Sequence, residues 1–453
     1  MAKLNYDDFK TALFEGAKAK GFTDYELSYS AGNSFSVRVF QGEISEYKNT
    51  STEGAGFRGT FNGKMGYAYT ENLDRDLIPA LLENAAANAG IIEDPEVEKL
   101  YPGDKIYPEV NTYNPALNDT ETSQKIQWAF DLEKEILSLD PRVQMADYCT
   151  VISGESHMAI ANSYGLDLSQ KSNIAAAYAL ARVEENGVTK SAMDMWVGRD
   201  FKDFSYQKLA KKAVEEAVSY LGATSVPSGK YPVIFNPDTA KDLFQVFTSV
   251  FVAERCQKGF SLLNKEKIGE AIAAPHITLR DDAITDLSLG SMAFDAEGVA
   301  TQNKAVIENG VLKTLLYNTK SAAKDGVTST GNASKDGFGG AIGTSVTNFY
   351  LVPGEKSYDE LIASMDKGLI LTDLAGLHSG TNAISGDFSV SAEGYYVENG
   401  KIAKPVEQIT VAGNFYDLLK NIVSVGSDLK FRTTGAGVGM PSILVNELSI
   451  AGE

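Results

Sequence analysis

Cysteine is almost absent from this chain. The two present, Cys149 and Cys256, lie far apart, so no disulfide framework is available and both are expected to be small buried groups in a reducing compartment. Histidine is nearly as scarce. His157, His276 and His378 stand alone in the sequence, and none shows the spacing of a metal-ligand pair. No apolar run is long enough for a bilayer-crossing helix, which excludes that kind of membrane partner. The opening MAKLNYDDFK passes directly into an acidic helical pattern, with no apolar stretch or small-residue cleavage site, and this predicts a cytoplasmic protein. Positive charge is in deficit: the net charge is -19, and nothing resembles the concentrated Lys/Arg surface that binding to a phosphate backbone requires, so nucleic acid is excluded as a partner.

What is present is an ordinary globular composition over 453 residues, more than one core usually organises, so two domains are expected. The stretch LGATSVPSGK (221–230) is small, polar and turn-rich, and it divides the chain into an N-terminal α+β domain, 1–222, and a β-rich C-terminal domain, 223–453. The stripe Phe9, Leu13, Ala17 predicts a helix from Tyr6 to Lys20, ended by Gly21. From Tyr25 to Thr70, alternating runs separated by Gly-Asn, Gln-Gly and Asn-Gly predict an antiparallel meander. Helices are expected over 73–88, with Pro79 in the first turns, and over 120–139, capped by Asp119 or Thr120. Residues 93–118 carry four prolines and no periodicity, which predicts a surface excursion. A second strand-rich block, 143–196, and a helix over 206–220 repeat the order of strands followed by covering helix. Beyond the linker the spacing predicts a strand, YPVIF, one long helix from about Asp238 to Cys256, and then mostly strands. The expected fold class is α+β, with antiparallel sheets covered by helices first and a mostly-β, barrel-like domain with an embedded helix second.

Few residues offer chemistry. GLHSGTNAISGDFS (376–389) crowds His378, Ser379 and Asp387 into one loop, but adjacent residues of an extended stretch point to opposite faces and no G-x-S-x-G elbow is present, so no catalytic residue is assigned. The glycines instead predict tight backbone positions, with Asn382, Ser385 and Asp387 bonding within the loop. Cys256 stands between Arg255 and Lys258, which would favour a thiolate, although no base is near in sequence. Glu254 is a general-base candidate at a helix end. Asp281-Asp282 reads as a turn, and 329–349, rich in glycine and hydroxyls but lacking the order G-x-x-x-x-G-K-[ST], reads as a mobile loop beside a cleft.

Several long blocks, among them EGAGFRGTFNGKMGYAYTENLD, FDAEGVATQNKAVIENGVLKTLLYNTKSA, STGNA and GDFSVSAEGYYVENGKIAKPVEQITVAGN, resemble the TldD/PmbA family over nearly the whole chain. The resemblance implies a division of labour. TldD-type members carry His-Glu-x-x-x-His on the second-domain helix and a later cysteine, holding zinc for peptide hydrolysis; PmbA-type members, also called TldE, lack them. Counted back from Lys258-Gly259, the histidine positions fall on Phe244 and Ser249 and the glutamate position on Gln245, and FRTTGAGVGMPSILV holds no cysteine. This chain therefore resembles the PmbA type, for which the historical label is modulator of DNA gyrase. The resemblance implies a cytoplasmic, non-catalytic subunit of a metallopeptidase complex, active in proteolysis of unfolded or extended peptides. Zinc is expected only in a TldD-like partner, with no metal or other cofactor here. The cleft residues it implies are His378, Ser379, Asn382, Asp387 and Glu254. The alternative is a homodimer that binds peptides or another ligand without catalysis.

Overall fold

The computed structural model describes residues 3–91, 99–432 and 434–453. Helix α1 (Tyr6–Lys20) starts at Asn5, whose side chain accepts the Asp8 N–H, and ends at Gly21 in the left-handed region. Its stripe of Phe9, Leu13 and Ala17 is fully buried, as the spacing predicts. Strands β1 (Tyr25–Phe40), β2 (Glu43–Phe61) and β3 (Lys64–Thr70) form the expected meander, with positive φ at Gln41-Gly42 and Asn62-Gly63. The expected break at Gly32-Asn33 is corrected: β1 runs straight through, because a ladder with β2 on one side and with β4 on the other satisfies its backbone and overrides the local turn preference.

Helix α2 (Ile78–Ile91) carries Pro79 in its first turn. Residues 92–98 of the predicted excursion lie outside the described residues, and 99–114 hold neither helix nor strand. Helix α3 (Thr122–Leu139) has Glu121 at its N-cap without a side-chain cap bond, a correction to the expected Asp119 or Thr120; Thr120 instead closes the preceding 3-10 turn through its N–H. Strands β4 (Val143–Asn162), β5 (Asp167–Glu185) and β6 (Val188–Gly198) precede α4 (Tyr206–Ser219). All six strands form one sheet, ordered β3-β2-β1-β4-β5-β6, so two three-stranded meanders meet at β1 and β4. Helices α1 and α2 cover the first meander, and α3 and α4 the second.

The second half opens with β7 (Gly229–Phe235), α5 (Pro237–Phe247) and α6 (Ala253–Gln257). The single long helix expected here is broken. After α5 a 3-10 turn over Thr248–Phe251 leads to Val252 in extended conformation, where Phe251 and Ala253 bond the backbone of Leu316. β-branched Thr248, Val250 and Val252 are poor helix formers, and the bridge to Leu316 takes over their backbone groups. A small sheet gathers β8 (Leu279–Asp282), β9 (Asn303–Glu308) and β10 (Val311–Leu312), to which β13 (Asn348–Leu351) and β18 (Gly437–Gly439) add. Asp281 and Asp282 thus lie in a strand and not in a turn, because Asp281 is fully buried and accepts from Asn332 and Thr347. The loop predicted over 329–349 contains the hairpin β11 (Ala333–Lys335) and β12 (Ile342–Thr344). Between and after these come α7 (Thr319–Asp325), α8 (Tyr358–Ala363), β14 (Lys367–Ala375), β15 (Asp387–Glu398), β16 (Lys401–Asn414), α9 (Phe415–Asn421), β17 (Ile422–Val425) and β19 (Ile443–Ala451).

Strands β16, β15, β14, β7 and β19 pair in that order, and β16 also pairs with β19, which closes a barrel. One set of alternating barrel residues, including Val233, Phe235, Leu369, Leu371 and Val411, joins α5 and α9 in the largest core. The other set, including Ile234, Ile370 and Leu444, packs on α8. The expected α+β class and barrel-like second half are observed. Phe247 of α5 is fully buried and stacks on Phe415 at 4.5 Å. Phe247→Ala is expected to cost about 3–5 kcal/mol of stability in equilibrium urea unfolding; a loss below about 1 kcal/mol would show that the site collapses without a cavity.

Candidate functional site

Strand alternation in the first meander prepares a site. Leu27, Phe57 and Ala68 pack toward α1 and α2, so Glu26, Arg58 and Tyr67 face the second half of the chain. Register makes these three direct neighbours, with Glu26 opposite Arg58 and Arg58 opposite Tyr67. The same face carries Gly54 and Gly56, which admit the β11–β12 hairpin: a Cβ on Gly54 would lie 2.4 Å from the Phe338 ring, and one on Gly56 1.9 Å from the Phe338 carbonyl oxygen. From this hairpin Lys335 donates to Ser28 Oγ at 2.8 Å. Between the two halves lies a cavity of about 860 Å³. The sheet contributes Arg58 and Tyr67, α6 and the residue that caps it contribute Glu254 and Lys258, and α7 contributes Lys324. Glu297 and the hairpin residues Ala341 and Ile342 also line it.

Its electrostatics are those of charges withdrawn from water. Glu26 and Arg58 are 2% and 5% exposed and joined from Nε to Oε1 at 2.7 Å. Removing either partner would strand the other, which is the usual reason such a pair persists. Burial opposes the guanidinium charge, yet Glu26 holds it above its ordinary range. Arg58 Nη2 and Glu26 Oε2 are buried without hydrogen-bond partners. Glu297 accepts Thr319 N–H at 2.8 Å and Thr319 Oγ1 at 2.5 Å, and burial still pushes its carboxyl upward. Asp295 is pushed up to about 7 by burial and by the Glu297 charge, although three backbone N–H groups donate to it. Burial, aided by the Arg58 charge, pushes the Lys335 ammonium down to about 8.

Of the five cleft residues expected from sequence, Glu254 alone lines this cavity, paired with Lys258 at 2.6 Å. His378, Ser379 and Asn382 lie on the loop that follows β14, and Asp387 is the first residue of β15. That loop is bonded internally, as its composition predicts. Asn382 Oδ1 accepts the N–H groups of Ile384 and Ser385, and Ser379 Oγ donates to the Gly376 carbonyl. Asp387 accepts from Asn414 Nδ2 and Ser385 Oγ, each at 2.8 Å, and these bonds hold its carboxyl below the usual range. His378 is exposed and bonds neither Ser379 nor Asp387, so no triad forms. Cys256 is buried, its Sγ donating to the Val250 carbonyl at 3.3 Å, and burial pushes its thiol up to about 11. It is no thiolate nucleophile.

The metal question turns on α5, which packs against β18. Phe244 is 1% exposed and edge-on to Phe415 at 5.2 Å, Gln245 faces solvent, and Ser249 is partly buried beyond the helix end. Segment 431–442, which carries β18, has no cysteine. Among the described residues no three His, Cys, Asp or Glu side chains gather to hold a metal ion. Phenylalanine, an amide and a hydroxyl do not fit zinc.

Models of the PmbA/TldA metallopeptidase domain 1, central domain and C-terminal domain match residues 25–89, 115–221 and 228–452. The chain belongs to the PmbA/TldD family. It is 27% identical to the metalloprotease PmbA of Escherichia coli O157:H7, covering 94% of this chain and 92% of that one. A crystal structure of a proposed modulator of DNA gyrase from Thermotoga maritima superposes with a TM-score of 0.89 at 35% identity, covering 99% of this chain and 100% of that chain. TldE from Thermococcus kodakarensis gives a TM-score of 0.89 at 25% identity, over 98% and 99% of the two chains.

Sequence reasoning missed Arg58 and its partner Glu26. The available signal was a charged residue at an inward-alternating position in each of two strands joined by a Gln-Gly turn. For Lys335, the folded-state pKa lies below the unfolded one, so its burial costs stability near neutral pH and the cost fades as pH rises from about 8 toward the ordinary lysine value. Lys335→Met is expected to exceed the parent's stability at about pH 7 by about 1–3 kcal/mol, with the advantage shrinking toward about pH 10. Urea unfolding at several pH values checks this, and a pH-independent difference would contradict it.

Proposed function

We propose that this chain is the non-zinc, PmbA/TldE-like subunit of a TldD-type metallopeptidase complex, dividing near residue 222 into two domains and working in the cytoplasm. The partner supplies zinc and the general base; this chain supplies interface and substrate-channel surface. The observation that carries the reading is the occupant of the ligand positions. Phe244 is a core residue packed on Phe415, Gln245 can neither ligate strongly nor take a proton, and Ser249 follows the end of α5. A hydrolytic zinc needs about three protein ligands, an open position for water and a carboxylate to move the proton. None of these three side chains provides them.

The substrate class is an unfolded or extended peptide, held through main-chain bonds that give affinity with little sequence preference. The loop carrying His378, Ser379 and Asn382, with Asp387 at its end, contacts peptide backbone without cleaving it, and Glu254 contributes from the separate cavity that it lines. No residue of this chain acts as nucleophile.

Co-expression with a TldD-like protein tests the assignment. The two chains are expected to co-elute as a stable complex on size exclusion, and cleavage of an unfolded peptide is expected to fall at least about tenfold when this chain is omitted. Self-association alone, with the TldD-like chain fully active by itself, would reject the subunit role and favour a homodimeric binding protein.

A further inference from the structure

A second cavity, of about 630 Å³, lies where the β11–β12 hairpin meets the first sheet, and it is lined by an amine with no role so far. Register and alternation assemble it. Gly56 stands opposite both Ser28 and Tyr69, and Arg58 opposite Tyr67, so these residues share the sheet face that the hairpin covers. Phe338 at the hairpin turn lies against Tyr69, with ring centroids 6.0 Å apart. The missing side chain at Gly56 makes room for Lys335, whose Nζ would stand 3.0 Å from a Cβ there. Lys335, Tyr67, Tyr69 and Phe338 all line the cavity, and Tyr69 is 60% exposed, which opens the site to small molecules.

The surroundings of Lys335 suit a neutral amine. Among the described residues its Nζ pairs with no carboxylate; it donates to the neutral Ser28 Oγ at 2.8 Å. Ser28 directs its own proton to the Gly56 carbonyl at 3.3 Å, so toward Lys335 it accepts, and the nitrogen lone pair stays free to react. Burial disfavours the ammonium, the Arg58 charge disfavours it further, and the opposing pull of Glu26, itself bonded to Arg58, is smaller. A lysine desolvated in an apolar pocket beside a second cation is the setting in which amines condense with carbonyl compounds.

We infer that Lys335 is an imine-forming lysine and that its cavity takes a small aldehyde whose aromatic body lies among Tyr67, Tyr69 and Phe338. The walls set the class, because three rings around one amine favour a planar, apolar partner with a single polar end. In the reaction the Nζ lone pair attacks the carbonyl carbon, and the C=O π pair becomes a hydroxyl by taking one proton from the nitrogen. The carbinolamine then loses that hydroxyl as water, together with the remaining N–H proton, and a C=N bond is left. One water departs, and no oxidant or reductant is consumed. The inference is independent of zinc and of any partner chain, so it stands or falls separately from the subunit reading.

The probes are benzaldehyde and acetaldehyde, each incubated with the purified full-length chain and quenched with borohydride at timed intervals, with adducts located by peptide mass mapping. At about pH 7, Lys335 is expected to take up benzaldehyde about tenfold or more faster than exposed lysines such as Lys18 and Lys401 in the same sample. Its rate should reach half its maximum at a pH of about 8, while the exposed lysines keep rising toward about pH 10. The groups facing the amine that set this profile are Arg58 and Glu26, with the phenols of Tyr67 and Tyr69 in the cavity. Measured against the exposed lysines, benzaldehyde should favour Lys335 more strongly than acetaldehyde does, and Tyr69→Ala should reduce that excess several-fold with the thermal unfolding midpoint unchanged. Lys335→Met, expected above to be the more stable protein, should lose the fast adduct. Labelling of Lys335 no faster than the exposed lysines, a half-maximal pH near the ordinary lysine value, a benzaldehyde excess that survives Tyr69→Ala, or a fast adduct that persists in Lys335→Met would overturn the proposal.

Discussion

The stacking of Phe247 on Phe415, with Phe244 edge-on to the same ring, fixes α5 against the barrel, and much of the second half is arranged around that contact. Each of these rings is essentially excluded from water, and aromatic pairs add to what their buried area contributes. With its inner face committed to the core, α5 ends at Phe247, and the chain then passes through Thr248–Phe251 to an extended Val252 bridged to Leu316. That break lets the short α6 and the residue after it turn Glu254 and Lys258 toward the first half of the chain. One packing arrangement therefore has two results: Phe244 is spent on hydrophobic burial, and a charged pair is delivered to a cavity elsewhere.

The cavity rests on a second constraint, in the sheet. A one-residue bulge between Arg38 and Val39 shifts the β1–β2 ladder, and beyond it Glu26 stands opposite Arg58. Without the bulge Glu26 would face Phe57, a core residue, and the ion pair could not form. The bare floor at Gly54 and Gly56 then receives Phe338 and brings Lys335 onto Ser28, closing the two halves on one another. Further ties share the interface: Arg432 reaches Asp194 on β6 at 2.8 Å and Asp238 on α5 at 3.2 Å, and Lys190 bonds Glu393 and Glu407.

Much of this was legible in the sequence, for identifiable reasons. Local signals with strong chemistry carried through: the apolar stripe of α1 and its Gly21 end, the Gln-Gly and Asn-Gly turns, and the internal bonding of the loop around Asn382 and Asp387. Errors arose where tertiary pairing overrode local preference. Gly32-Asn33 reads as a turn until a strand lies on each side of it, and the run from Asp238 to Cys256 reads as one helix until Leu316 captures Phe251 and Ala253. Asp281-Asp282 looks like a turn because nothing nearby in sequence announces that Asn332 and Thr347 will satisfy a buried carboxylate. The cavity was illegible for the same reason. Its residues come from β2, α6, α7 and a distant hairpin, and the bulge that aligns Glu26 with Arg58 leaves no mark that alternation alone can reveal.

The central claim is that this chain's own side chains do not form a hydrolytic zinc centre. Calorimetric titration of zinc into the purified, chelator-treated chain, with metal content measured by mass spectrometry, tests it most directly. The account predicts weak, substoichiometric uptake that washes out on dialysis. One tightly held zinc per chain, required for peptide turnover by the chain alone, would contradict it.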